Sequence, residues 1–158
     1  MYKKILVFMA AFGLLLCFST AEASAAKIHV DSEVKVKKIL KKYAKNVNIS
    51  SVKGSILDMD GDTVQINIKG GQNLTGKLMT KEPYMNICKV YMAVKKADFS
   101  NFSNIGVAVK IDGHWAVKTD TNPDTLKSIS NHDLNYNYNN LPSYTTHIWQ
   151  SNDLPKIQ

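Results

Sequence analysis

Asp58, Asp60 and Asp62 alternate along the chain and offer hard oxygen ligands, the donor type that Ca²⁺ takes. An EF-hand loop also needs glycine at its sixth position and an acid at its twelfth. Here Gly61 falls at the fourth and Lys69 at the twelfth. The triplet reads first as a solvated turn, with a weak cation site at Asp58, Asp60 and Asp62 as the alternative. His29, His114, His132 and His147 have no metal-ligand spacing among themselves, and Cys88 has no companion cysteine near it. His132 and Asp133 adjoin, but neighbours in sequence need not face each other. There is no G-x-S-x-G elbow and no phosphate-binding glycine loop. No motif calls for a cofactor. Distant residues can still converge in a fold, so the sequence leans away from an enzyme without excluding one.

The basic residues carry a clearer message. All 20 are lysines. Arginine's planar fork is the usual device for bidentate reading of phosphates and bases, so sequence-specific nucleic-acid recognition is not expected. Point charges suffice for looser attraction to a polyanion. Lys35, Lys37, Lys38, Lys41, Lys42 and Lys45 share one side of a helical projection. Val36, Ile39, Leu40, Tyr43 and Val47 share the other. Residues 27–45 hold seven lysines against Asp31 and Glu33. The six lysines are the candidate surface-binding residues. A solvated face that confers solubility is the first reading; as a binding surface its partner would be an anionic cell-wall polymer, a lipid surface or an acidic protein.

The elements that position these residues follow from capping and periodicity. Asp31 and Ser32 are N-cap types, and the stripe predicts a helix over 33–47. Val52, Gly54 and Ile56, then Val64, Ile66 and Ile68, alternate with polar residues around Asp60-Gly61, which predicts a β-hairpin. A three-residue Met59-Asp60-Gly61 loop pairs Ile56 with Val64 and Val52 with Ile68, giving one buried face. That register sets Asp58 opposite Asp62, an unfavourable pair unless neutralised. A second helix is predicted over 81–97, with Thr80 as cap, Pro83 in its first turn, and Tyr84, Ile87, Cys88, Tyr91 and Val94 inward. Cys88 on that stripe reads as a core thiol. A second hairpin, looped at Ile111-Asp112-Gly113, pairs Val109 with Trp115 and Val107 with Val117. Gly54, Asp60 and Gly61 recur 52 residues later as Gly106, Asp112 and Gly113. That echo fits either a duplicated αββ unit or independent Asp-Gly turns.

The expected fold class is therefore α+β: a four-stranded antiparallel sheet from two β-hairpins, with two helices on one face in the order α-β-β-α-β-β. An irregular C-terminal extension follows. Residues 26–130 make the α+β domain. Residues 131–158 form an Asn/Tyr-rich extension packed on the domain. There Tyr136, Tyr138, Tyr144 and Trp149 either cover the shallow face left by Gly106 and Ala108 or offer stacking surfaces to a sugar or partner.

The N-terminus sets the expected location. Lys3 and Lys4, an uncharged apolar run from Ile5 to Phe18, and Ala23-Ser24-Ala25 have the three parts of a secretory signal peptide over residues 1–25. Ala21-Glu22-Ala23 is a second cleavage option. Lipid anchoring through Cys17 is the rival reading, against the bulky Leu16 before it. No transmembrane segment is expected in the mature chain. That chain has one cysteine, Cys88, hence no internal disulfide, which leans toward a bacterial export route. The function expected is a small secreted non-enzymatic binding protein held at an anionic cell surface. A small exported hydrolase or hydrolase inhibitor, and a secreted toxin or immunity-type factor, are the alternatives.

Overall fold

The computed structural model describes residues 27–54, 63–71, 77–152 and 154. The signal-peptide reading of residues 1–25, Cys17 included, and the Asp58, Asp60 and Asp62 turn lie outside the described residues.

Helix α1 spans Glu33–Tyr43. Ser32 caps it, its hydroxyl accepting from the Lys35 amide, which satisfies one of the orphan donors of the first turn. The helix stops short of residue 47. The Ala44 amide closes on the Leu40 carbonyl at 2.8 Å, and Asn46 turns left-handed at φ 68°, a conformation asparagine tolerates better than most residues. Val36, Ile39, Leu40 and Ala44 are buried, whereas Tyr43 is exposed. Val36, Ile39 and Leu40 each contribute about 1.5–3 kcal/mol on burial.

Strands β1 (Ile49–Gly54) and β2 (Thr63–Lys69) are antiparallel. Val52 faces Ile66 and Gly54 faces Val64, two residues away from the predicted register. A slide of two preserves the pleat, so Val52, Val64, Ile66 and Ile68 still face the core.

Helix α2 spans Lys77–Val94, four residues ahead of the predicted start. Thr80 therefore lies inside the helix rather than capping it, and Pro83 is an interior residue beyond the first turn. Its stripe is buried as expected: Tyr84, Ile87, Cys88, Tyr91 and Val94. Helix α2 packs on α1 and on strands β3 (Asn104–Ile111) and β4 (His114–Thr121).

The sheet departs from the four-stranded antiparallel arrangement. It is five-stranded and mixed, in the order β1-β2-β3-β4-β5, with β2 and β3 parallel. The crossover through α2 makes that pairing possible, since parallel neighbours need a long connection. A repeated αββ unit translated along the sheet would make β2 and β3 antiparallel. Turning its second copy over would carry α2 to the far face, yet both helices share one core. The strand pairing therefore does not follow a duplicated αββ unit.

The β3–β4 loop also differs. Ile111 pairs with His114 across a two-residue Asp112-Gly113 turn with φ of 48° and 84°, the signature of a type I′ hairpin. A bulge then follows, because Lys110 faces Trp115 but Val109 faces Val117. The extra residue, Ala116, restores Val117 to the core and leaves Trp115 on the other side of the sheet.

The C-terminal segment is more regular than expected. It forms α3 (Pro123–Ser128), α4 (Asn131–Tyr136), a 3-10 turn (Tyr138–Tyr144) and β5 (His147–Gln150). Leu126, Leu134, Leu141 and Leu154 are buried in the common core. Tyr138 and Tyr144 pack against that core, but Tyr136 and Trp149 stay exposed. None of the helices in the described residues is long and apolar enough to cross a membrane.

Candidate functional site

Two surfaces gather the residues able to bind something, and they point in opposite directions. One is the solvated side of α1. Lys37, Lys38, Lys41 and Lys42 are exposed there and Lys35 is half-buried, while Lys45, expected on the helix, is exposed in the turn just beyond its end. Lys35 pairs with Asp31 at 2.6 Å and Lys37 reaches Glu33 at 3.8 Å. The Lys35 ammonium holds the Asp31 carboxyl below its ordinary pKa, chiefly through that hydrogen bond. Glu33 also accepts from the Gly54 amide at 3.1 Å, tying the helix start to the end of β1. Both acids thus neutralise the N-terminal turn only. Lys38, Lys41, Lys42 and Lys45 have no carboxylate within ion-pair distance among the described residues. Lys42 lies over the Tyr43 ring, 4.9 Å from its centroid.

The other surface is the face of the sheet opposite the helices, which no element among the described residues covers. Cross-strand register brings its side chains together. Gln65, Gly106, Asp120 and His147 form one row; Ser51, Asn67, Ala108, Lys118 and Trp149 form the next. Lys69, Lys110 and Trp115 form a third. The Lys110 ammonium sits 4.3 Å from the Trp115 ring centroid. Lys118 lies between two indoles, 4.8 Å from Trp115 and 5.4 Å from Trp149. The bulge at Ala116 produces this cluster, because strict alternation would have sent Trp115 inward. The neighbouring rows are hydrogen-bonded. Asn67 donates to Ser51 Oγ at 2.8 Å, Gln65 to Asn67 Oδ1 at 3.3 Å, and Asn104 to Asp120 Oδ1 at 3.4 Å. A Cβ on Gly106 would fall 2.2 Å from Gln65 Oε1 and 3.0 Å from Asp120 Oδ1. The missing side chain is what lets both groups lie flat over β3.

The histidines are dispersed. His29 Nδ1 approaches Asp98 Oδ2 at 2.9 Å, and Asn101 Nδ2 meets His29 Nε2 at 2.9 Å. Since the Asn101 amide donates to Nε2, the ring proton sits on Nδ1 and is donated to Asp98. That bond, with those from Ser100, lowers the Asp98 pKa to about 2. The cluster fastens the N-terminal bridge residue His29 to the chain just after α2. The His132 ring lies tilted against Tyr136, with centroids 5.0 Å apart, and His114 and His147 are exposed. Cys88 is buried, and burial pushes its thiol up to about 12. Among the described residues no three His, Cys, Asp or Glu side chains converge as metal ligands.

The sequence singled out the lysines of α1 but missed the sheet-face cluster. Only Trp149 was marked, as part of a tail. The one available signal was Lys110, Trp115 and Lys118 bracketing an Asp-Gly turn. No protein-family model, no curated protein and no solved structure matches this chain.

Proposed function

We propose that the chain is an exported, non-enzymatic binding protein retained at an anionic surface by the lysine side of α1. The observation that carries this reading is the set Lys38, Lys41 and Lys42, exposed along one side of a helix whose opposite side buries Val36, Ile39 and Leu40, with Lys45 exposed in the turn just beyond the helix end. With no acid nearby among the described residues, their charge is directed outward. Export is supported by residues 1–25 of the sequence. Near an anionic lipid surface each lysine contributes about 1 kcal/mol, so four give about 4 kcal/mol. That corresponds to roughly a thousandfold enrichment at low salt.

The test is co-sedimentation with phosphatidylglycerol vesicles and retention on a polyphosphate resin. The protein should bind at about 0.05 M salt and release by about 0.5 M, as screening shortens the reach of each charge. The quadruple variant K38Q/K41Q/K42Q/K45Q should not bind, with an unchanged melting curve. Retention that ignores salt, or a variant that binds as well as the parent, would overturn the reading.

A further inference from the structure

The open sheet face carries groups that solvation alone does not account for. Trp149 is 49% exposed on an edge strand, a large apolar surface left in water. Its ring is not isolated. Lys118 lies against it and against Trp115, and Lys110 caps the Trp115 ring. An ammonium held over an indole is partly relieved of water and fixed in position. Beside this ladder, the amides of Asn67 and Gln65 are oriented by their own hydrogen bonds. Each primary amide both donates and accepts, and Asp120 adds an acceptor. Gly106 and Ala108 on β3 raise no bulk between the polar rows and the indoles.

We infer that this face is a binding site for an acidic saccharide chain, of the uronate type. A pyranose ring presents a flat C–H face that suits an indole. Its vicinal hydroxyls donate and accept side by side, as the Asn67 and Gln65 amides do. Its carboxylate finds Lys118 or Lys110 beside the stacking ring. The charge of the face fits an anion: among the described residues Lys53, Lys69, Lys110 and Lys118 lie on it with Asp120 as the opposing acid. From Asn67 across Ala108 and Lys118 to Trp149 is three strand spacings, about 14 Å, which accommodates more than one ring. A nucleic-acid strand is the poorer fit. The chain has no arginine to grip phosphates bidentately. This site is separate from the lysines of α1, which lie on the other side of the molecule.

The experiment is a titration of the whole chain with a hexameric oligogalacturonate, followed by tryptophan fluorescence and calorimetry. A neutral oligosaccharide of equal length and a dT12 oligonucleotide run in parallel. The hexauronate should saturate and perturb the tryptophan emission, while the neutral sugar binds at least tenfold more weakly. Trp149→Ala and, independently, Lys118→Gln should each weaken uronate binding about tenfold; both positions are exposed, so the melting curve should hold. The K38Q/K41Q/K42Q/K45Q variant should keep uronate binding, which separates this site from surface retention by α1. Absence of saturation at millimolar uronate would overturn the inference. So would full binding by both sheet-face variants, loss of binding in the α1 variant alone, or tighter binding of dT12 than of uronate.

Discussion

Tyr91 and Thr119 form a buried polar link between helix and sheet, and removing either group should have unequal effects. The Tyr91 hydroxyl lies 2.7 Å from Thr119 Oγ1, which in turn donates to the Val107 carbonyl at 3.2 Å. With the Thr119 proton committed to Val107, Tyr91 donates to Thr119. Tyr91 is fully buried and Thr119 nearly so, and burial raises the Tyr91 pKa. Tyr91→Phe deletes a donor and leaves Thr119 with its bond to Val107. The loss should be a single net hydrogen bond, about 1 kcal/mol. Thr119→Val keeps the volume but strands the phenol, and also unpairs one lone pair of Val107. That should cost about 2–3 kcal/mol, the desolvation penalty of an unsatisfied buried group. The double variant replaces both partners by apolar groups of similar shape. It should be more stable than the sum of the single losses by about 1 kcal/mol. Urea unfolding of all four proteins, at constant slope against denaturant, measures the cycle. Strictly additive losses, or a Tyr91→Phe loss exceeding that of Thr119→Val, would refute the assigned donor direction and the burial argument with it.

Three further outcomes are expected. Gly113→Ala should destabilise by about 1–2 kcal/mol through its backbone alone: φ is +84° and nothing lies within 4 Å of the added Cβ. Gly113→Asn should cost less in the same unfolding assay, and equal losses would argue against a left-handed turn. The Asp98 clamp should weaken in acid. Its folded pKa is lowered to about 2, so its contribution is present above the ordinary carboxylate range and is lost as pH falls from about 4 to about 2. Exposure of both partners limits the effect to under about 1 kcal/mol, read as a stability gap between the parent and Asp98→Asn that closes over that interval. Cys88, buried with its thiol pushed up to about 12, should resist iodoacetamide at pH 8 and react once urea unfolds the chain. Mass spectrometry of the Cys88 peptide reports this, and rapid native labelling would contradict the packing of α2.

Local patterns in the sequence identified most elements, because helix and strand periods are properties of neighbouring residues. Val36, Ile39 and Leu40 against the lysines marked α1, and Val64, Ile66 and Ile68 marked β2. How strands meet is not a local property. Nothing in the two hairpin patterns states which edges adjoin, so the parallel β2–β3 pairing was not legible. The β3–β4 register failed for a sharper reason. A two-residue Asp112-Gly113 loop would have put the apolar sets on opposite faces if the pleat ran unbroken. The chain adopts that loop and repairs the phase with a bulge at Ala116, and an inserted residue leaves no trace in a strictly alternating template. Strand β5 was missed because four residues are too few to separate a strand from a loop. Its β-branched and aromatic pair, Ile148 and Trp149, was the available hint.

That same bulge decides which aromatic group joins the basic charge of the sheet face. Counted along the chain, the surplus sits in α1, since Lys53, Lys69, Lys110 and Lys118 are scattered among strands with acids between them. Folding sorts them differently. Strands β1 to β4 turn these four lysines to one face, and β4 adds Trp115 there only because Ala116 interrupts the alternation. The helices occupy the other face, with the lysines of α1 directed outward from it. A two-layer domain cannot lay both surfaces on one flat partner. An anionic surface engaged by α1 would leave the indole-lysine face turned away from it, free to take a second, chemically different chain. The sheet-face cluster is therefore better placed to select a ligand than to add to retention.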